Sequence, residues 1–223
     1  MEEREFFGDW CEVIDFDILN RILNTLGVII QKKEIGPAPE DLFRAFGCCP
    51  YSKLQVVVLT QDPYPQKGVG TGIAFANKRG VELSKMSPSL KVLFDAVEKY
   101  CSDDLPFSTI DETFPTLEKW CQQGILMLNS ALSVEIGNVG SHQTLWRPFT
   151  ESLLRNLQEK KEELIFVMMG EIAQSFSDCV KKENIIKCPH PAKCARTGEQ
   201  FPDIFKQVDE MIKRRNGDLI YWY

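Results

Sequence analysis

Four short apolar runs, separated from one another by enough chain for a helix, constrain this 223-residue sequence most. They are residues 54–60 (LQVVVLT), 125–128 (ILML), 164–169 (LIFVMM) and 185–188 (IIKC). Each has strand length, and the longer ones lack the polar alternation of a half-solvated strand, so they read as strands buried on both faces of a parallel sheet. Parallel strands need crossover connections, usually helical. The intervening segments supply them. Residues 16–30 place Phe16, Leu19, Ile22, Leu23, Leu26 and Ile30 on one helical face. Ser87-Pro88 opens a helix whose apolar stripe is Leu90, Leu93, Phe94 and Val97. Residues 146–157, 172–182 and 201–215 predict three more helices. The expected fold class is α/β: a three-layer sandwich with a central four-stranded parallel sheet flanked by helices. No repeat or long linker divides it, so a single domain over 1–223 is expected, with 1–17 as an acidic N-terminal segment.

In open α/β sheets, ligands bind beyond the carboxyl ends of the strands. Gln61-Asp62-Pro63-Tyr64-Pro65 follows the first run, Asn129 ends the second, Gly170-Glu171 follows the third and Pro189-His190-Pro191 the fourth. A carboxylate, a carboxamide, a helix start and an imidazole on one rim can carry out hydrolysis. Gly68, Gly70 and Gly72 complete neither GxGxxG nor GxxxxGK[ST], and no GxSxG occurs, which argues against a phosphate loop and a serine nucleophile. Only His142 and His190 can supply imidazole.

The formal charge is −6, from 26 Lys plus Arg against 32 Asp plus Glu, which excludes a polybasic coat on nucleic acid. Residues 1–17 hold seven of the acids and one base, a net of −6, leaving 25 bases and 25 acids in the rest. Lys187, Lys193 and Arg196 give the His190 region a local positive charge with no acid between Lys187 and Arg196. No apolar run reaches the ~20 residues that span a bilayer, and the acidic start does not read as a signal peptide. Eight cysteines without a Cys-x-x-Cys pair then fit reduced thiols in a cytoplasmic protein with no membrane partner. Cys188, His190 and Cys194 are ligand types, but their spacing matches no common metal site, so no metal is expected.

Taken together, the motifs resemble the family 1 uracil-DNA glycosylases. Gln61-Asp62-Pro63-Tyr64 is similar to the family's water-activating motif, residues 72–75 (GIAF) to its Gly-x-x-Phe segment, and Ser87-Pro88-Ser89-Leu90 to its Pro-Ser-Leu helix start. Residues 126–129 (LMLN) look like its Leu-Leu-Asn motif, and Gly140-Ser141-His142 falls in its Ser-His stretch. Gly170-Glu171-Ile172-Ala173-Gln174 follows Gly-x-x-Ala-Gln, and His190-Pro191 falls at its last motif. Several motifs in the right order over most of the chain are specific where one tetrapeptide is not.

The resemblance implies hydrolysis of the uracil–deoxyribose bond on a base flipped out of single- or double-stranded DNA, without a cofactor. It implies catalytic roles for Asp62, which stabilises the sugar cation and orients water, and for His190, a neutral donor to the uracil anion. Gln61, Tyr64, Phe75 and Asn129 become substrate-binding residues: Phe75 stacks, Asn129 reads N3–H and O4, and Tyr64 collides with a thymine methyl. Ser89, Gly170, Lys193, Cys194 and Arg196 become DNA-binding residues. His142 is assigned a structural hydrogen bond in a loop near the pocket. A monomer is expected, with a DNA-mimicking inhibitor protein as a further partner.

The sequence departs from the family pattern at several positions. Thr60 replaces the glycine before Gln61, and Pro65 replaces the histidine after Tyr64. Ala192, Lys193, Cys194 and Ala195 stand where Ser, Pro, Leu and Ser are usual. Cys194 thereby takes the place of the leucine wedge, and a preference for single-stranded substrate is expected. The competing readings are an inactive DNA-binding accessory protein and a nucleosidase acting on free nucleosides. Retention of Asp62, Asn129 and His190 speaks against the first.

Overall fold

The computed structural model describes residues 3–101 and 113–222. Its centre is a parallel sheet of four strands, β2 (Val56–Thr60), β3 (Ile125–Asn129), β5 (Ile165–Met169) and β6 (Ile185–Cys188), in the order β3-β2-β5-β6. A two-stranded antiparallel ribbon joins β1 (Ile35–Gly36) to β4 (Val134–Glu135). Every residue of β2, β3 and β5 is buried. Burying a Val, Leu, Ile, Phe or Met side chain gains about 1.5–3 kcal/mol by transfer from water. Polar side chains therefore appear on β2 and β3 only at their last positions, Thr60 and Asn129.

Helices flank the sheet as expected. They are α1 (Glu3–Phe7), α2 (Phe16–Ile29), α3 (Arg44–Cys48), α4 (Pro88–Cys101), α5 (Glu118–Gln122), α6 (Gln143–Lys160), α7 (Gly170–Gln174), α8 (Pro191–Thr197) and α9 (Ile204–Arg214). Helix α7 packs on β2 and β5, α9 on β6, and α3 and α5 on β3, while α4 supports α8. The Asp15 carboxylate caps α2 by accepting from the Ile18 N–H, and Asp203 caps α9 through Lys206. One apolar cluster runs from Phe7 to Trp222.

The helix expected over 172–182 is shorter. It stops at Gln174, and a 3-10 turn, Ser177–Cys179, follows. Two serines compete for its backbone: Ser175 Oγ donates to the Ile172 carbonyl and Ser177 Oγ to the Gln174 carbonyl. The Gln174 side chain donates to the Cys188 carbonyl at 2.9 Å, tying this short helix to the end of β6.

The strand order reverses between β2 and β5: β3 lies on one side of β2, and the chain then crosses to β5 on the other. That switch point is where a doubly wound sheet opens a crevice at its carboxyl edge. Gln61, Asn129, Gly170 and Pro189 are the residues at or just past that edge. No helix among the described residues is long and apolar enough to cross a membrane.

Candidate active site

A cavity of about 590 Å3 opens at this edge. Its lining includes Gln61, Asp62, Tyr64, Pro65, Phe75, Ser89, Asn129, Val139, His190, Lys193 and Arg196. Of the expected site residues, nine line the cavity together and two do not: Gly170 and Cys194.

Asp62 follows β2, and its Oδ2 accepts the Gly140 N–H at 2.6 Å. Burial pushes its carboxyl above the usual 3.8, while hydrogen bonds from Gly140 and Gln61 pull the other way. Gly140 sits on the turn after β4, and that turn is anchored in its own right by Gly137 N–H donating to the Pro65 carbonyl at 2.9 Å. Pro65 thus contributes its backbone oxygen to the frame around Asp62. The role of Gly140 escapes sequence reasoning because the contact is a backbone amide 78 positions away.

Phe75 reaches the cavity through a constrained segment. Gly72 has φ +79°, and a side chain there would place Cβ 1.8 Å from the Asp41 carbonyl oxygen, so only glycine fits. Phe75 itself has φ +64°, a left-handed conformation that is costly for a non-glycine residue. Its carbonyl accepts the Tyr64 hydroxyl at 2.9 Å, and the Ala74 N–H donates to Met127 of β3 at 3.1 Å. Two expected recognition residues, Tyr64 and Phe75, therefore hold each other. Burial pushes the Tyr64 phenol well above its usual 10, so it remains a neutral donor.

His190 follows β6 and caps α8. Its Nδ1 accepts the Ala192 N–H at 3.1 Å. In the neutral ring the proton then lies on Nε2, which makes that nitrogen a donor. Burial lowers the His190 pKa below the usual 6.5, and the Arg196 charge lowers it further. The ring meets Phe75 edge to face, with centroids 5.4 Å apart. Gly170, with φ +86°, packs behind His190: a Cβ there would come within 2.8 Å of the His190 Cβ. The glycine lets the α7 start pack closely against His190.

Asn129 ends β3 and is 7% exposed. Its Oδ1 accepts the Thr60 hydroxyl at 2.7 Å. Sequence reasoning noted Thr60 only as a departure from a pattern, although pairing the two strands by their last residues would have placed it beside Asn129.

Cys194 requires a correction. The side chain is 2% exposed and belongs to the apolar core, so α8 turns the thiol inward and offers Lys193, Ala195 and Arg196 to the cavity. Val139, next to Gly140, is 59% exposed and also lines the cavity.

His142 stands apart from the cavity lining. It is buried, with Nδ1 2.8 Å from Ser133 Oγ, and Ser133 also accepts the Trp146 indole N–H at 2.8 Å. With its oxygen already taking the indole proton, the Ser133 hydroxyl is free to donate to Nδ1. Among the described residues, no group of three or more His, Cys, Asp or Glu side chains is placed to hold a metal ion. Burial pushes the Cys188 thiol up to about 12.

Comparisons with known proteins identify the family. Residues 46–214 match the model of the uracil DNA glycosylase superfamily. The uracil-DNA glycosylase of Aliivibrio salmonicida is 36% identical over 196 residues, 86% of this chain and 84% of that protein. Uracil-DNA glycosylase 1 of Listeria innocua is 32% identical over 86% of this chain and 85% of its own. A mimivirus UNG variant solved in complex with UGI superposes with a TM-score of 0.78 at 24% identity, covering 100% of this chain and 88% of that one. With a carboxylate, a carboxamide and a neutral imidazole donor on one cavity, and with relatives of this closeness, the chain belongs to the uracil-DNA glycosylase superfamily of DNA-repair hydrolases and acts on the N-glycosidic bond of uracil in DNA.

Proposed function

We propose that the reaction runs through a base turned out of the DNA into the 590 Å3 cavity, with Asp62 and His190 on either side of the scissile bond. As the bond lengthens, positive charge builds on the sugar and negative charge on uracil. Asp62 stabilises the cation and orients the water that attacks C1′. The Nε2–H of His190 donates to uracil O2, and because the ring is neutral it supplies a hydrogen bond without giving up its proton. Water adds hydroxyl to C1′ and gives up its proton to solvent, and the uracil anion takes up a proton from solvent, leaving an abasic sugar and free uracil. Phe75 stacks on the base, Asn129 reads its N3–H and O4, and Gln61 supports Asp62. Tyr64, held by the Phe75 carbonyl, occupies the space a C5 methyl would need.

Convergence of Asp62, Asn129 and His190, from the ends of three different strands, on one cavity carries this reading. Ser89, Lys193 and Arg196 line the same cavity and are assigned to the DNA backbone. The chain acts as a single domain and a monomer in the cytoplasm, a reading supported by one continuous apolar core and by the buried free thiols of Cys49, Cys121, Cys179, Cys188 and Cys194. A DNA-mimicking inhibitor protein is a further partner, supported by the UGI complex of the mimivirus relative.

Incubation with a uracil-containing oligonucleotide, followed by alkali, tests the assignment. Wild-type protein is expected to give strand scission at uracil and none at thymine, and Asp62→Asn to lose most of it. Full activity in Asp62→Asn would overturn the mechanism. Equal cleavage of free deoxyuridine would identify a nucleosidase instead.

A further inference from the structure

Thr60 and Asn129 are the last residues of β2 and β3, and they pair directly across the parallel register. Their side chains share one face of the sheet, both are buried, and Thr60 Oγ1 lies 2.7 Å from Asn129 Oδ1. A hydroxyl facing a carboxamide oxygen must donate to it. The contact continues into the backbone, where the Ser130 N–H donates to the Thr60 carbonyl at 3.1 Å. In the pattern this chain otherwise resembles, the position holds glycine, which has no side chain to make such a bond.

The two ends of a carboxamide have nearly the same shape and opposite hydrogen-bonding character. With one order, an acceptor meets N3 and a donor meets the C4 substituent, which suits uracil. Turned over, the same group offers a donor to N3 and an acceptor to an exocyclic amine, which suits cytosine. Discrimination between these bases therefore depends on what fixes the amide. We propose that Thr60 is a positioning residue for base specificity, its hydroxyl holding the Asn129 carboxamide in the uracil-reading order. The oxygen has two lone pairs, so it can accept from Thr60 and still accept N3–H. Turning the amide over would oblige the hydroxyl to accept instead, leaving its own proton buried without a partner. The branched Cβ of threonine restricts χ1 and keeps the hydroxyl in place.

The proposal rests on Asn129 as the reader of the base, and the test separates the two. Thr60→Val removes the hydroxyl and keeps the shape, Thr60→Ser keeps the hydroxyl, and Asn129→Ala removes the reader. Thr60→Ala serves as a second hydroxyl-free variant should Val fail to fold, with thermal unfolding measured for all. Each is assayed for kcat/KM on uracil-containing oligonucleotides and for inhibition by free uracil and free cytosine. Loss of the hydroxyl is expected to lower kcat/KM roughly ten-fold and to narrow the preference for free uracil over free cytosine by a similar factor, with Thr60→Ser within about two-fold of wild type. Wild-type values in both Thr60→Val and Thr60→Ala, with Asn129→Ala inactive, would overturn the proposal. So would Thr60→Ser falling as far as Thr60→Val, which would make the residue a packing element. Wild-type excision by Asn129→Ala would refute the base-reading role itself, and this proposal with it.

Discussion

The floor and the α8 lip of the cavity are built on different principles. The floor comes from the ends of buried parallel strands, where register alone puts Thr60 beside Asn129 and sets Asp62 two residues beyond the last ladder pair of β2. Its polar groups are tied to one another or to backbone: Thr60 to Asn129, Gly140 to Asp62, and Tyr64 to Phe75. The lip is a seven-residue helix that buries Cys194 and sends Lys193 and Arg196 into the opening. A floor pinned by short hydrogen bonds suits recognition and chemistry, which tolerate little displacement. Long cationic side chains on a short helix suit the sequence-independent grip of a phosphate backbone. On the floor, the departure from the family pattern at Thr60 brings a hydrogen bond to the Asn129 carboxamide.

The largest effect is expected from His190, where floor and lip meet. Removing one donor aimed at developing charge typically costs ~10²–10³ in rate, so His190→Ala should lower kcat on uracil DNA by that factor with little change in DNA affinity. A fall in affinity alone would assign His190 to the lip.

Next is the pH profile. In the proposed mechanism the reactive state pairs an ionised Asp62 with a neutral His190. Burial raises the carboxyl above 3.8 and, helped by Arg196, lowers the imidazole below 6.5. Both groups reach their reactive forms by losing a proton, so kcat/KM should rise with pH between about 3.8 and 6.5 and be flat at neutral pH. A loss of activity on passing from pH 6 to 8 would mean that His190 must be protonated.

The lip should respond to salt instead. Each phosphate contact removed lowers the slope of log affinity against log salt by about one. Lys193→Ala and Arg196→Ala are each expected to do so on DNA of any sequence. Unchanged slopes would place the DNA elsewhere.

The smallest effect is expected at Cys194. Because the thiol is buried, Cys194→Leu should overpack the core at a cost of about 1–3 kcal/mol and lower Tm by several degrees, without raising the rate on duplex DNA. A faster duplex reaction would show that α8 turns the residue outward in the complex.

The sheet was legible because β2, β3 and β5 contain no polar side chain before their ends, and the candidate cavity because Asp62, Asn129 and His190 stand at strand ends. What stayed hidden was set by contacts distant in sequence. Nothing in the composition of the turn after β4 announces that the Gly140 amide will hold Asp62. The burial of Cys194 stayed hidden because a position in a motif does not specify which side of a short helix faces the core. The helix over 172–182 was overextended because its apolar spacing outweighed the serines that unwind it. Thr60 was visible as a departure, yet its meaning needed the parallel register.

The division between floor and lip is tested most directly by single-turnover cleavage of a uracil oligonucleotide at saturating protein. The Lys193→Ala/Arg196→Ala double variant is set beside His190→Ala. Once DNA is bound, the double variant should cleave within about two-fold of wild type, while His190→Ala remains slower by ~10²-fold or more. A double variant as slow as His190→Ala at saturation would contradict the account, because the lip would then take part in breaking the bond.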